Sequence, residues 1–417
     1  MMKNYIKIAF KVMLRKKYYT ALSLIGISFT IMMVTVFASF IDSVIGANAT
    51  EVNRNRTLIF DKVSMYKAGK ETASAPSYPF IEKYVAGLES TEYVSAFTDI
   101  SYVSDVNGRL QGHHLKLTDE NFWKIMTFDF LEGKPFHQTE VKTGARVAVI
   151  TEKAKEYFFN DQQAVGKSIA VYGNSYKVIG VVEPAVGYSK AYADIYLPLT
   201  TDTSVYSKPN EISGSYCAML LAKTSDLKKV RTELRGRMRK IRNHVSGVDS
   251  VKAYAFTALE QFSKSSSFRD DEPEYGKTAI ALIVVLILFM LIPAISLINL
   301  NLSRIGERAE EIGIRKSFGA TSRAVINQLV IENIIITLVG GLVGLGLAIY
   351  ASQLLVVVIN SFDPLFKIPE GSLILSWRVF ASSLFSCLLF GLLSGVYPAW
   401  KISRLNVIKA LRGGNNL

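Results

Sequence analysis

Four stretches of the chain contain no Asp, Glu, Lys or Arg: Tyr18 to Ile41, Thr278 to Ser303, Asn333 to Phe362 and Val379 to Trp400. A helix rises about 1.5 Å per residue, so about 20 apolar residues cross a hydrocarbon core of about 30 Å. All four meet that length, and the third exceeds it, which implies tilt or protrusion. Soluble core helices rarely sustain such runs. The pattern predicts an integral membrane α-helical protein with four transmembrane helices: 18–41, 278–303, 323–362 with a cytosolic extension, and 379–400. Pro293 predicts a kink in the second.

The stretch 42–277 has a different rhythm and predicts a large mixed α/β domain between spans one and two, built as two subdomains. Thr57 to Met65 alternates like a strand. Arg146 to Ile150 reads as a strand, followed by a helix from Glu152 to Phe159. Ser168 to Tyr172 and Ser175 to Val182 flank Gly173-Asn174, which predicts a hairpin turn there. Further strands are expected at Asp194 to Leu197, Tyr216 to Ala222 and Val251 to Phe256. Thr224 or Ser225 caps a basic helix from Asp226 to about Asn243.

Charge orients the spans. The chain has 417 residues and a formal net charge of +13. Residues 1–19 carry six Lys/Arg and no acid, 303–324 five against three, and 399–417 four against none. The whole of 42–277 carries 31 against 29. The excess therefore flanks apolar runs, as the positive-inside rule describes, and is not spread over a folded domain as nucleic-acid binding needs. This places the N-terminus, the 304–322 loop and the 401–417 tail in the cytosol. The 42–277 domain and the short 363–378 loop fall on the other side. Lys16-Lys17, the first apolar run and Ala47-Asn48-Ala49 also fit a signal peptide, but a run of 24 residues exceeds the 7 to 15 of a signal core and favours a retained anchor. Lys3, Lys7, Lys11 and Arg15 recur every four residues in 1–17, which fits an interfacial amphipathic helix or a plain basic flank.

Candidate chemistry is sparse. Cys217 and Cys387 fall in different compartments, so no disulfide framework is expected. Gly166-Lys167-Ser168 resembles the tail of a phosphate-binding loop, but Asp161 stands where its first glycine belongs. His113-His114 lacks a third ligand at zinc spacing and is expected on a surface strand. Ser64 to Lys67 fits S-x-x-K without companion motifs. No catalytic residue, metal site or cofactor is predicted. In the third span Gly340, Gly341, Gly344 and Gly346 permit close helix approach, either within the chain or across a dimer interface. Glu332 is expected near the bilayer interface.

The 304–322 segment is charged and largely helical, ending at Gly319. Glu311-Ile312-Gly313-Ile314-Arg315-Lys316, then Phe318-Gly319-Ala320-Thr321 and Glu332, resemble the signature of MacB/FtsX-type ABC transporter permeases. Tyr397-Pro398-Ala399-Trp400 and Ser403 to Arg412 resemble that family's end, with Asn406-Val407 where a proline is common. Glu132-Gly133-Lys134-Pro135-Phe136, Val147 to Ile150, Val165-Gly166-Lys167, Val178 to Val182 and Asp194 to Leu199 follow the order of its periplasmic core domain. The resemblance implies a permease subunit of the cell inner membrane, with its large domain periplasmic and both termini cytosolic. It implies a separate cytosolic ATPase dimer, so that this chain is not itself an enzyme. Glu307, Arg308, Glu310, Glu311, Ile312, Gly313, Arg315, Lys316, Phe318, Gly319 and Ala320 are the expected ATPase-coupling residues. A second permease copy or a paralogue, a periplasmic adaptor and an outer-membrane channel are further implied partners. The implied work is efflux or export by mechanotransmission. The alternatives are lipoprotein release or regulation of cell-wall hydrolases. A membrane-anchored ligand sensor is a rival class, disfavoured because no cytosolic piece exceeds about thirty residues.

Overall fold

Continuous apolar strands explain the extracytoplasmic-type domain. Cys217–Ala222 (CAMLLA), Val147–Thr151 (VAVIT) and Ile195–Pro198 (IYLP) are buried almost throughout. A strand turns successive side chains to opposite faces, so such strands need cover on both. The computed structural model describes residues 17–45, 49–106, 108–160, 162–185, 189–206, 212–241, 249–263, 321–362 and 377–385, together with 284, 288, 314, 318, 388 and 389. The chain divides into two compact units, one of 1–42, 277–357 and 373–417, the other of 43–276 and 358–372.

In the second unit the strands are β1 Thr57–Lys67, β2 Lys70–Pro76, β3 Thr91–Val106, β4 Arg109–Thr118, β5 Phe130–Gly133, β6 Val147–Thr151, β7 Ser168–Val171, β8 Asn174–Val182, β9 Ile195–Pro198, β10 Ser213–Gly214, β11 Cys217–Ala222 and β12 Ser250–Phe256. They hydrogen-bond in the order β10-β2-β1-β11-β3-β4-β9-β6-β8-β5, with β12 on β1 and β7 on β8. The pairs β4·β9 and β6·β8 are parallel and the others antiparallel. The helices of the chain are α1 Lys17–Ile45, α2 Tyr78–Phe80, α3 Phe122–Ile125, α4 Gln138–Thr143, α5 Glu152–Phe159, α6 Leu227–Ile241, α7 Ala258–Ser263 and α8 Ser322–Phe362.

Two apolar clusters cover the two faces of the sheet. Leu58, Phe60, Ala148, Ile150, Ile195, Leu197, Ala218 and Leu220 point into one, which α6 completes with Val230, Leu234, Met238 and Ile241. The alternate residues Ile59, Val149, Tyr196, Met219 and Leu221 point into the other with Phe122, Met126 and Phe136. The expected strand–helix pair appears as β6 and α5, where Thr151 caps the helix by accepting from the Ala154 amide at 3.3 Å. The expected strand, helix, strand ending appears as β11, α6 and β12.

Three expectations shift. The β7–β8 turn lies at Tyr172-Gly173, one residue earlier than predicted, because Val171 pairs with Asn174. Both turn residues have positive φ, 47° and 76°. The tyrosine, an uncommon residue in that region, is held by its hydroxyl donating to the Ser101 carbonyl at 2.8 Å and by an edge contact with Tyr102. His113 is not on a surface: it is 1% exposed, bonded to the Ser104 hydroxyl at 2.8 Å and stacked on Phe158. Strand β3, and the extent of β4 beyond the strand expected at His113-His114, form the longest hairpin of the domain and do not follow from the pattern.

In the first unit, α1 and α8 are long and apolar enough to cross a membrane over Thr20–Ser39 and Val330–Val358. Their outward faces are apolar, and several of their hydroxyls are turned inward among apolar side chains. Leu22, Ile25, Phe29, Leu342, Val343 and Tyr350 are exposed, while Ser23, Ser28, Thr30, Thr35, Thr337 and Ser352 are buried. Apolar side chains facing outward suit a lipid solvent, in which hydroxyls are better placed against protein. Most of the second and of the fourth predicted spans lie outside the described residues, as do 1–16. Residues 377–385 are helical.

Candidate functional site: the helix seam and the coupling segment

The predicted glycine face of α8 meets α1. A Cβ on Gly340 would lie 2.8 Å from the Ile27 Cγ2, and one on Gly344 would lie 2.6 Å from the Ser28 carbonyl oxygen. Glycine is therefore required for this approach. The Ser28 hydroxyl donates to the Gly340 carbonyl at 2.9 Å. Ile27, Ile31, Ile336 and Leu345 close the seam, with Leu24 and Phe380 at its edge. Gly340 and Gly344 both lie against atoms of α1 in the same chain. Gly341 is also buried, on the same unit, whereas Gly346 is exposed and a Cβ there would meet nothing within 4 Å, so the close approach stops short of it. Glu332 is buried on α8 at 6% exposure.

The α1 half of the seam was missed by sequence reasoning. Its signal is Ser28 within an otherwise apolar run, since the Thr30 hydroxyl donates to the Gly26 carbonyl of its own helix.

Of the expected coupling residues, only Phe318 is described. Its amide donates to the Ile314 carbonyl at 3.1 Å, one helical turn. Phe318 is 89% exposed and Ile314 51% exposed, so two apolar side chains stand out from a charged segment. Glu307, Arg308, Glu310, Glu311, Ile312, Gly313, Arg315, Lys316, Gly319 and Ala320 lie outside the described residues.

The family-like motifs of the domain have structural reasons. Gly133 has φ 68°, and a Cβ there would sit 2.0 Å from the Ile179 carbonyl oxygen, so only glycine lets β5 pair with β8. Beside it Glu132 accepts from Lys155 Nζ at 2.6 Å and from the Ala164 amide at 3.3 Å. The Lys155 hydrogen bond holds the Glu132 carboxyl below its ordinary pKa. Phe136 is fully buried.

The decoys resolve on geometry. Gly166-Lys167 leads into strand β7 and not into a helix N-terminus, so no phosphate cradle forms. Ser64 and Lys67 are three apart on β1, hence on opposite faces. Burial pushes the Cys217 thiol up to about 11, far from a reactive thiolate. Among the described residues no group of three or more His, Cys, Asp or Glu has metal-binding geometry.

The family model of the MacB-like periplasmic core domain matches residues 20–237, and that of the FtsX-like permease C-terminal matches 283–407. The chain belongs to the MacB/FtsX-type ABC transporter permeases. Permeases of this family sit in the inner membrane, carry a periplasmic domain of mixed α/β structure and work with ATPase partners. A Bacillus subtilis (strain 168) protein named "Uncharacterized ABC transporter permease YknZ" is 24% identical over 79% of this chain and 77% of its own length. The "Pyoverdine export ATP-binding/permease protein PvdT" of Pseudomonas fluorescens (strain Pf0-1) is 23% identical over 97% of this chain. This chain spans 59% of the length of that relative. The crystal structure of the periplasmic region of MacB from Actinobacillus actinomycetemcomitans aligns with 52% of this chain and 96% of its own, at 13% identity and TM-score 0.38.

Proposed function

We propose that this permease converts ATP hydrolysis by a separate cytosolic ATPase dimer into movement of its extracytoplasmic domain, for export. Four spans carry the motion, with 1–17, 304–322 and 401–417 in the cytosol and 42–277 and 363–378 outside. The helix around Glu307 to Ala320 docks on the ATPase. Arg308, Arg315 and Lys316 face acids there, Glu310 and Glu311 face bases, and Phe318 fills an apolar pocket. The domain, in two subdomains, handles substrate outside the membrane. A second permease subunit completes the transporter, and an adaptor and outer-membrane channel extend it where the envelope has them.

The observation that carries this reading is the α1·α8 seam. α1 lies in the periplasmic-core match and α8 in the permease match, and a Ser28–Gly340 hydrogen bond with glycine-close packing joins them. Motion imposed on α8 through the segment preceding it is thereby passed to α1, which leads into the domain. Export is favoured over lipoprotein release or hydrolase regulation because a relative covering 97% of this chain is named for export.

The test is reconstitution with the ATPase in proteoliposomes. Glu310→Lys with Glu311→Lys, and separately Phe318→Ala, abolish the stimulation of ATP hydrolysis by the permease. Unchanged stimulation and transport in both would reject the docking role.

A further inference from the structure

The charge balance of the domain breaks at α6. Seven of its 15 residues are Lys or Arg and one is Glu, within a 42–277 stretch that is otherwise near neutral. The apolar side of the helix, Val230, Leu234, Met238 and Ile241, is used up in the core. Two cations are satisfied inside the fold. Arg231 donates to the Ala255 carbonyl at 3.1 Å and pairs with Glu260 at 2.6 Å. Arg237 pairs with Glu233 at 3.2 Å and donates to the Ala86 carbonyl. Lys228, Lys229, Arg235, Arg239 and Lys240 remain exposed, and none forms an ion pair among the described residues. From 228 to 240 they make a row about 18 Å long. Arg235 and Arg239 stand one turn apart, where like charges weaken a helix.

A second observation is independent of charge. Gly236 sits within this row, exposed, in the helix interior, and a Cβ there would meet nothing within 4 Å. Glycine lowers helix stability at such a position, and no packing in the fold requires it. It leaves a notch where a partner chain can reach the backbone. Beside the row runs a groove between α6 and β12, lined by Leu234, Arg235, Ala253 and Tyr254. Among the described residues β12 pairs only with β1, so it is a sheet edge.

We propose that this face binds an acidic, extended polypeptide segment of an extracytoplasmic partner. The segment lies along the cation row, passes over Gly236 and places a carboxylate on Arg235 at the groove. A protein is favoured over a membrane because the exposed side of α6 carries no aliphatic or aromatic residue to insert. The strongest negative surface potential of a bilayer also belongs to the cytoplasmic leaflet, which on the topology proposed above is the far side. A single-stranded nucleic acid would use aromatic stacking platforms, and this row has none.

The experiment uses the full chain in nanodiscs of zwitterionic lipid and a fluorescent 15-residue poly-glutamate peptide, read by anisotropy. It needs neither ATPase nor transport, so its outcome is separate from that of the coupling reading. Wild type binds the peptide with an affinity that falls as salt rises. R235E/R239E weakens binding by about tenfold or more. Gly236→Leu weakens it without changing charge, and the control K70E/K142E leaves it unchanged. Thermal unfolding verifies that each variant is folded, with R235Q/R239Q replacing the reversal if that one is not. Equal affinity in wild type and the Arg variants, an unchanged Gly236→Leu, or binding of anionic vesicles but not of peptide would each overturn the proposal.

Discussion

The hydroxyl of Ser28 and the carbonyl of Gly340 are 312 residues apart in sequence and 2.9 Å apart in space. A helix carbonyl can take a second donor because its oxygen has two lone pairs. That bond exists only while the backbones are close, and the glycines set the distance.

Gly344→Val is therefore expected to be costly. Its Cβ would sit 2.6 Å from the Ser28 carbonyl oxygen and 2.9 Å from the Ile31 Cβ, backbone and branched atoms that cannot swing aside. Overpacking of this kind costs about 1–3 kcal/mol. Gly346 faces open space, so Gly346→Val is the matched control. Denaturation in detergent compares the two, and equal midpoints would show that the seam does not bear on stability. Ser28→Ala should lose about 0.6 kcal/mol, the average for interhelical hydrogen bonds in membranes.

Lys116 on β4 is 1% exposed, with its ammonium paired to Asp99 and 4.5 Å over the Phe97 ring. Burial lowers its pKa, with Asp99 opposing that shift. Asp99→Ala leaves the cation buried without its anion. A fully buried pair broken in this way costs about 3–5 kcal/mol, and because Asp99 is half exposed about 1–3 kcal/mol is expected. Lys116→Met keeps the contact with Phe97 and removes the charge, so it should cost less than Asp99→Ala. Urea unfolding ranks the two, and the reverse order would refute the assignment.

Asp119 sets a pH dependence. It accepts from the Ala96 amide at 2.7 Å on one oxygen and from the Asn121 and Phe122 amides at 3.0 and 3.2 Å on the other. Burial nevertheless pushes its carboxyl up to about 7, against the lowering pull of those amides. A group whose folded pKa lies above its unfolded value binds more protons when folded. Its contribution is complete below about pH 4 and is lost as pH rises toward 7, by an amount on the order of 1–4 kcal/mol. Asp119→Asn should flatten that slope while costing about 1–3 kcal/mol at low pH, because the new amide group turns a donor toward backbone donors. An unchanged slope between pH 4 and 7 would assign the dependence elsewhere.

The parts of the fold that the sequence made legible are those where local chemistry and burial agree. Thr151, Glu152 to Phe159 and Asn160 combine an N-cap, a helical run and a left-handed terminus at φ 48°, and α5 lies where expected. Strand β3 and most of β4 were illegible because their inward positions are polar. Ser95, Ser104, His113, Lys116 and Thr118 are all buried, each bonded to a neighbour that alternation cannot foresee, as Ser104 is to His113. The turn at Tyr172-Gly173 was displaced by one residue because a tertiary bond to Ser101 sustains a tyrosine conformation that local propensity disfavours. In the seam, the α8 glycines announced a close approach, but one chain's pattern does not say which helix approaches. The Ser28 hydroxyl of α1 answers that only once both helices are seen together.

Gly236 separates stability from function most cleanly. An alanine there adds a methyl group to open space and removes the conformational freedom of glycine from the unfolded chain. The substitution should stabilise the protein by about 0.5–1 kcal/mol, the usual glycine-to-alanine gain inside a helix. The gain should appear as a higher unfolding midpoint at unchanged denaturant slope. A natural glycine at a site where alanine is better for the fold needs a cause outside the fold. If Gly236→Ala instead lowers the midpoint, the helix has a local need for glycine, and the notch loses its significance as a place of contact.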